Sequence, residues 1–217
     1  PTRRSSDLAI TLVVTMLYSF KVINRNQVWQ DDYTLFTTDV QTSSESAYGN
    51  LVAGKQYYFK AKKLEQDDPG REKYYQLSFT HLNKATAIHP QYSGAYFFLG
   101  EAYFYYDSTH YPKAIECYKK LISLTPDNDG VLYRLGALYG KTNQYDKSVV
   151  YLNKTLEVNP EHKMALNNLG AIYYNQQKFK ESADLFERYL RMVPNDVQIW
   201  QNLTSAYQQL GEVAKSQ

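Results

Sequence analysis

The stretch MALNNLGAIYYNQQKFKESADLFERYLRMVP, residues 164–194, decides how this chain folds. It reads as two antiparallel helices joined by a short turn. Gly170 sits in the first helix, where the absence of a side chain lets two backbones approach; a larger residue would push them apart. The facing position on the second helix is also small, Ser182, and an aromatic, Phe179, opens that helix. Pro194 closes it, because proline removes a backbone donor and clashes with the preceding turn. The same pattern runs through the neighbouring sequence. AYFFLGEAYFYYDSTHYPKAIECYKKLISLTP occupies residues 95–126, VLYRLGALYGKTNQYDKSVVYLNKTLEVNP residues 131–160, and IWQNLTSAYQQLGEVAKSQ residues 199–217. Leu99, Leu135, Leu169 and Leu203 precede Gly100, Gly136, Gly170 and Thr204, at steps of 36, 34 and 34. Tyr103, Tyr139, Tyr173 and Tyr207 follow in register, and Pro126, Pro160 and Pro194 close the units. Ala114, Ser148 and Ser182 are the small facing residues, with Ser216 expected to be the fourth. The two-residue surplus of the first unit falls in YYDSTHYP, a turn between helices, where insertions are tolerated.

A 34-residue period with this pattern resembles the tetratricopeptide-repeat (TPR) family. The resemblance covers residues 93–217 and implies an all-α fold, an α-solenoid of helix-turn-helix repeats. The repeats are expected at 93–128, 129–162 and 163–196, with a truncated one at 197–217 that stops inside its second helix. Upstream, residues 46–92 read as a divergent, longer TPR-like hairpin: Leu82, Ala85 and Pro90 repeat the second-helix ending, and Asp67-Asp68-Pro69-Gly70 forms a turn. One repeat cannot bury its own apolar face, so the sequence is expected to be a fragment at both ends.

In the TPR family a partner lies in the concave face formed by the first helices. By that resemblance the groove here is lined by Phe97, Glu101, Phe104, Tyr105, Tyr133, Arg134, Lys141, Asn167, Asn168, Tyr174, Gln201, Asn202 and Gln208. Co-chaperones of the family that grip a C-terminal carboxylate place lysine or arginine there. The corresponding slots hold Phe97/Glu101, Tyr133/Ala137, Asn167/Ala171 and Gln201/Ser205, so no carboxylate clamp is expected. Asn168 and Asn202 stand one period apart. They are similar to the asparagine ladder of the O-GlcNAc transferase family, whose amides bond a peptide backbone without reading its sequence. Phe98 and Arg134 break the ladder in the earlier repeats.

The first residues read differently. PTRRSSDL resembles the translation of a common short-read sequencing adapter, so residues 1–7 are set aside as an artefact. Leu8–Phe20 carries no charge, and Thr11, Thr15 and Ser19 form a small polar stripe like those at membrane helix contacts. Thirteen residues are too few to span a bilayer, which takes about 20. Residues 8–23 are therefore expected to be the C-terminal half of a truncated transmembrane helix, and residues 24–45 an interfacial linker. That linker, through Arg25, Asn26, Trp29, Asp31, Thr34, Leu35 and Phe36, is similar to the one after the last membrane helix of the transmembrane-and-TPR, O-mannosyltransferase-like proteins, which have a GT-C-type glycosyltransferase-like membrane part. Their catalytic acids lie in that membrane part, so the resemblance carries no catalytic residue to this chain. It implies membrane localisation with the repeats on the extracytoplasmic side, whereas Lys21 and Arg25 beside the membrane point the other way. A membrane-anchored assembly or secretion scaffold with no enzymatic half is the alternative.

Composition narrows the function further. The 217 residues carry a formal net charge of +2, and Lys60, Lys62 and Lys63 are the only basic run, which argues against nucleic acid. Cys117 is the single cysteine, so no intrachain disulfide can form. There is no phosphate-binding glycine loop, HExxH or CxxC. His81, His89, His110 and His162 read as structural. The sequons at Asn153 and Asn202 fall in predicted helices and are discounted. No catalytic residue, metal or cofactor is expected; the expected partner is a protein or peptide.

Overall fold

The computed structural model describes residues 11–20, 22, 32–42 and 44–216. Every regular element described is helical: α1 (residues 11–20), α2 (Asp32–Thr42), α3 (Ala47–Lys63), α4 (Pro69–Ile88), α5 (Ser93–Tyr106), α6 (Tyr111–Leu124), α7 (Asp129–Lys141), α8 (Tyr145–Val158), α9 (Lys163–Asn175), α10 (Phe179–Met192) and α11 (Val197–Ser216). The chain forms two compact units, residues 1–102 and 103–217.

In the second unit the helices pair as antiparallel hairpins. α8 packs on α7 and α9, α10 packs on α9 and α11, and the first helices α7, α9 and α11 lie side by side. The sequence dictates where each helix starts and stops. Asn128 Oδ1, His162 Nδ1 and Asp196 Oδ1, spaced 34 apart, accept from Val131 N, Ala165 N and Ile199 N and so cap the three first helices. The second helices begin at Tyr111, Tyr145 and Phe179. They end at Thr125, Asn159 and Val193, each directly before the closing proline. The turns inside the hairpins need left-handed backbone at Asn143 (φ 58°) and Gln177 (φ 60°). YYDSTHYP forms a 3₁₀ turn at Ser108–His110, in which Asp107 Oδ1 accepts from Thr109 N and His110 N.

Glycine and serine fix each crossing. A Cβ on Gly136 would lie 2.8 Å from Leu152 Cγ and 3.2 Å from the Leu152 backbone nitrogen. A Cβ on Gly170 would lie 2.7 Å from Phe186 Cε1. Ser148 Oγ donates to Gly136 O at 2.7 Å, and Ser182 Oγ to Gly170 O at 2.8 Å. Gly100 and Ala114 are buried. Around these crossings Leu152, Leu166, Leu169 and Ile172 form one apolar cluster, and Phe186, Leu190, Ile199, Leu203 and Ala206 another.

The first unit uses the same device in a longer hairpin. A Cβ on Gly54 would meet Leu82 Cγ at 2.6 Å, and Ser78 Oγ donates to Gly54 O at 2.9 Å. The serine lies 24 residues beyond its glycine here, against 12 at Gly136 and Gly170, which is why α3 and α4 reach 17 and 20 residues. Asp68 caps α4 by accepting from Gly70 N, and Pro69 takes the first helical position.

Two expectations differ from what is found, and a third falls partly outside the described residues. The second half of the 24–45 linker is a helix, α2, packed on α3: Val40 is buried among Ala53, Tyr57, Tyr33, Tyr74 and Leu77. Burial of that apolar face repays ordering the segment. Residues 197–216 do not break into two helices; α11 runs unbroken to Ser216, and the hairpin expected there is not found among the described residues. Gly211 stands one period after Gln177, where the left-handed turn was due, yet nothing lies within 4 Å of its Cβ position and it stays helical. Finally, of the expected membrane segment 8–23, residues 8–10, 21 and 23 lie outside the described residues, and no described helix is long and apolar enough to cross a membrane. Residues 1–7, and Arg25, Asn26, Trp29 and Asp31, also lie outside them.

Candidate functional site

Among the expected groove residues, Phe97 and Glu101 belong to the first unit; Phe97 is half-buried, and Glu101 is buried rather than presented to a partner. The rest lie on the first helices of the second unit. Tyr105, Lys141, Gln201 and Gln208 are exposed, whereas Phe104, Tyr133, Arg134, Asn167, Asn168, Tyr174 and Asn202 are half-buried. Several are brought together. The Lys141 ammonium stands 5.9 Å from the centre of the Phe104 ring, which meets Tyr105 edge-on. Tyr133 lies against the His162 ring at 4.8 Å, so the imidazole that caps α9 also packs on Tyr133. Asn168 Nδ2 is 3.5 Å from Tyr133 Oη, at the outer limit of a hydrogen bond. Burial raises the Tyr133 hydroxyl above the ordinary tyrosine range, and the Asn168 contact opposes this in part. The phenol is neutral and can donate.

A cavity of about 170 Å³ opens between α9 and α11. Tyr174 and Asn202 line it, together with Ala171, Asn175, Phe186 and Ser205. Asn202 Oδ1 accepts from Gln198 Nε2 at 3.3 Å, and Tyr174 meets Phe179 edge-on at 5.4 Å. The wall is therefore aromatic on one side and amide on the other. Ala171 and Ser205 contribute small side chains to its lining. Asn175 and Phe186 were not anticipated. Asn175 lies a turn beyond Ala171, and Phe186 reaches the cavity from the second helix through the space above Gly170.

The remaining reactive side chains have structural tasks. His81 Nδ1 meets Asn50 Oδ1 at 2.9 Å and stacks on Tyr57, and its pKa is lowered by burial first and by Lys84 second. His110 Nδ1 bonds Asp107 Oδ1, and His89 caps the end of α4. Lys60 Nζ is 3.9 Å from the Tyr33 ring centre and 4.7 Å from that of Tyr74, so the basic run is partly tied to aromatic faces. Cys117 is 8% exposed, and burial, with Glu116 as a lesser cause, pushes its thiol up to about 12. It is therefore expected to resist a disulfide-exchange reagent in the native protein at pH 8 and to react fully in urea; native reactivity would contradict that burial. No group of three or more potential metal ligands is found among the described residues.

Comparison with known proteins agrees with the helical-hairpin geometry. Family descriptions of the tetratricopeptide repeat match residues 133–197 and 105–143. The chain is similar to the crystal structure of MamA, at 20% identity and a TM-score of 0.63, covering 76% of this chain and 88% of that one. It is similar to YrrB, described as a TPR protein with an unusual peptide-binding site, at 18% identity and a TM-score of 0.63, covering 79% and 81%. It is also similar to MamA of Desulfovibrio magneticus RS-1, at 15% identity and a TM-score of 0.61, covering 75% and 84%. No curated protein matches.

Proposed function

With residues 105–197 matched as tetratricopeptide repeats in an all-α stack, we propose that this chain is a protein-interaction scaffold that holds an extended peptide across α9 and α11. The observation that carries the reading is the open cavity between these helices, with Tyr174 and Asn202 on its walls. An amide both donates and accepts, which suits a peptide backbone, and an aromatic wall suits an apolar partner side chain. Among the described residues, carboxylates on α7 and α9 are confined to Asp129, which is engaged by Asn159 at the end of the helix. These two helices thus offer no free carboxylate to select a basic peptide by charge. The peptide site described for YrrB, a protein of the same fold, supports the same use here.

The test is selection of peptides from a displayed random library against the native protein, followed by titration of the enriched peptides. Asn168→Ala combined with Asn202→Ala is expected to weaken them about fivefold to a hundredfold, since two lost hydrogen bonds amount to ~1–3 kcal/mol. Helicity should not change. Unaltered affinity would remove the two amides from the site.

The wider setting we propose is attachment, through residues 8–23, to a membrane protein of glycosyltransferase-like type, with the repeats extracytoplasmic. Support for it is the charge-free run Leu8–Phe20 and the resemblance carried by Arg25, Asn26, Trp29, Asp31, Thr34, Leu35 and Phe36.

A further inference from the structure

A second cavity, of about 390 Å³, opens between α8 and α10 over α9. Its floor is Leu156, Leu169, Leu185 and the half-buried Tyr173. Its rim is Asn153, Glu157, Glu181, Asp184 and Arg188. The size falls within the range of about 300–1,000 Å³ usual for ligand sites.

The preceding repeat shows what this place holds when it is filled. One period earlier, Tyr151 stands for Leu185 and stacks on Tyr139 at 5.5 Å with the rings 19° apart. Lys147 stands for Glu181, and its ammonium lies 5.4 Å from the Tyr139 ring centre. Val150 and Ser123 stand for Asp184 and Glu157. So the earlier slot is closed by a ring and topped by a cation. In the later one a leucine too short to stack leaves the space open, and acids replace the cation and the neutral residues. Arg188 is the one base on the rim, and it donates to Pro160 O at 2.9 Å. Lys178 stands 5.3 Å from the centre of the Tyr173 ring, so one cation already rests on that ring. Glu157, Glu181 and Asp184 still outnumber the rim guanidinium by three to one. These carboxylates do not converge as metal ligands do. They surround an apolar floor, the arrangement that suits a cation carried on an aliphatic stem.

We propose that the α8–α10 cavity is a second docking site, which takes a lysine or arginine side chain of a protein partner. The stem lies on Leu156, Leu169 and Leu185, and the charged head lies among Glu157, Glu181 and Asp184. The site is independent of the α9–α11 cavity.

The probe is a fluorescein-labelled oligolysine peptide, with oligoarginine and neutral oligoglutamine beside it, read by anisotropy at low salt. Leu185→Tyr copies the filled slot without altering charge. It is expected to weaken the cationic peptides at least about tenfold, and oligoglutamine should not bind the native protein. Glu181→Gln with Asp184→Asn should weaken them comparably, while Asp127→Asn with Glu116→Gln, the same charge change on α6 and its loop, should alter binding less than about twofold. Asn168→Ala with Asn202→Ala should leave this binding intact, which separates it from the groove. Wild-type affinity in a folded Leu185→Tyr protein overturns the proposal. So does equal loss in the two charge-neutralised pairs, which would mark diffuse attraction. If Leu185→Tyr loses helicity, the comparison of those two pairs decides alone.

Discussion

Gly136→Val is expected to lower the stability of the repeat stack by about 3 kcal/mol, at the upper end of overpacking costs. The added Cβ would stand 2.8 Å from Leu152 Cγ and 3.2 Å from the Leu152 backbone nitrogen. A flexible chain end could swing aside, but here α8 itself must retreat from α7. Retreat stretches the bond from Ser148 Oγ to Gly136 O and opens the cluster around Leu152 and Leu166. Gly211→Ala is the matched control. Its Cβ meets nothing within 4 Å, so replacing a helical glycine should instead gain about 0.5–1 kcal/mol. Urea titration followed by circular dichroism measures both. Two shifts of the same sign would mean that the crossing is not as close as described.

The second large effect is at Phe186. The ring is 1% exposed, rests over Gly170, and joins Leu190, Ile199, Leu203 and Ala206. Phe186→Ala should cost about 3–5 kcal/mol. It should also weaken peptides selected for the α9–α11 cavity, because Phe186 forms part of that wall. The pairing with Gly170 can be measured directly. All three atoms nearest a Cβ on Gly170 belong to the Phe186 ring, with no backbone atom among them. Gly170→Ala should therefore be markedly less costly beside Phe186→Leu than alone. Additive costs in the double-mutant cycle would show that ring and glycine do not touch.

Much of the second unit was legible because its determinants are local and periodic. Gly136, Ser148 and Pro160 recur as Gly170, Ser182 and Pro194, and one backbone geometry satisfies both sets. The crossing at Gly54 was not legible. Its serine is displaced by 12 residues from the expected spacing, so the period that marks the other crossings is lost while the contact survives. The unbroken α11 escaped sequence reasoning for another reason. Gly211 permits a turn but does not compel one, and it stays within α11. Trp200 and Tyr207 are about half exposed, whereas Leu132 and Tyr139, two periods earlier, are buried. The groove residues were named from register alone. Register named Tyr174 and Asn202, which line the α9–α11 cavity, but it could not show that Asn175 lines it too, nor that Phe186 reaches it from the other helix. The α8–α10 cavity depends on a tyrosine-to-leucine difference between repeats, which a search for what recurs passes over.

The serine bonds at Gly54, Gly136 and Gly170 have a spectroscopic consequence. Each of these carbonyls is solicited twice, by the amide ladder of its own helix and by a hydroxyl from the facing one. Such a carbonyl vibrates at lower frequency than its singly bonded neighbours. Isotope-edited infrared absorption of carbon-13 glycine would thus set the crossings apart from the remaining glycines. Removing one serine hydroxyl at a time would assign each band to a hairpin and reveal, on heating, whether the hairpins melt in sequence or together.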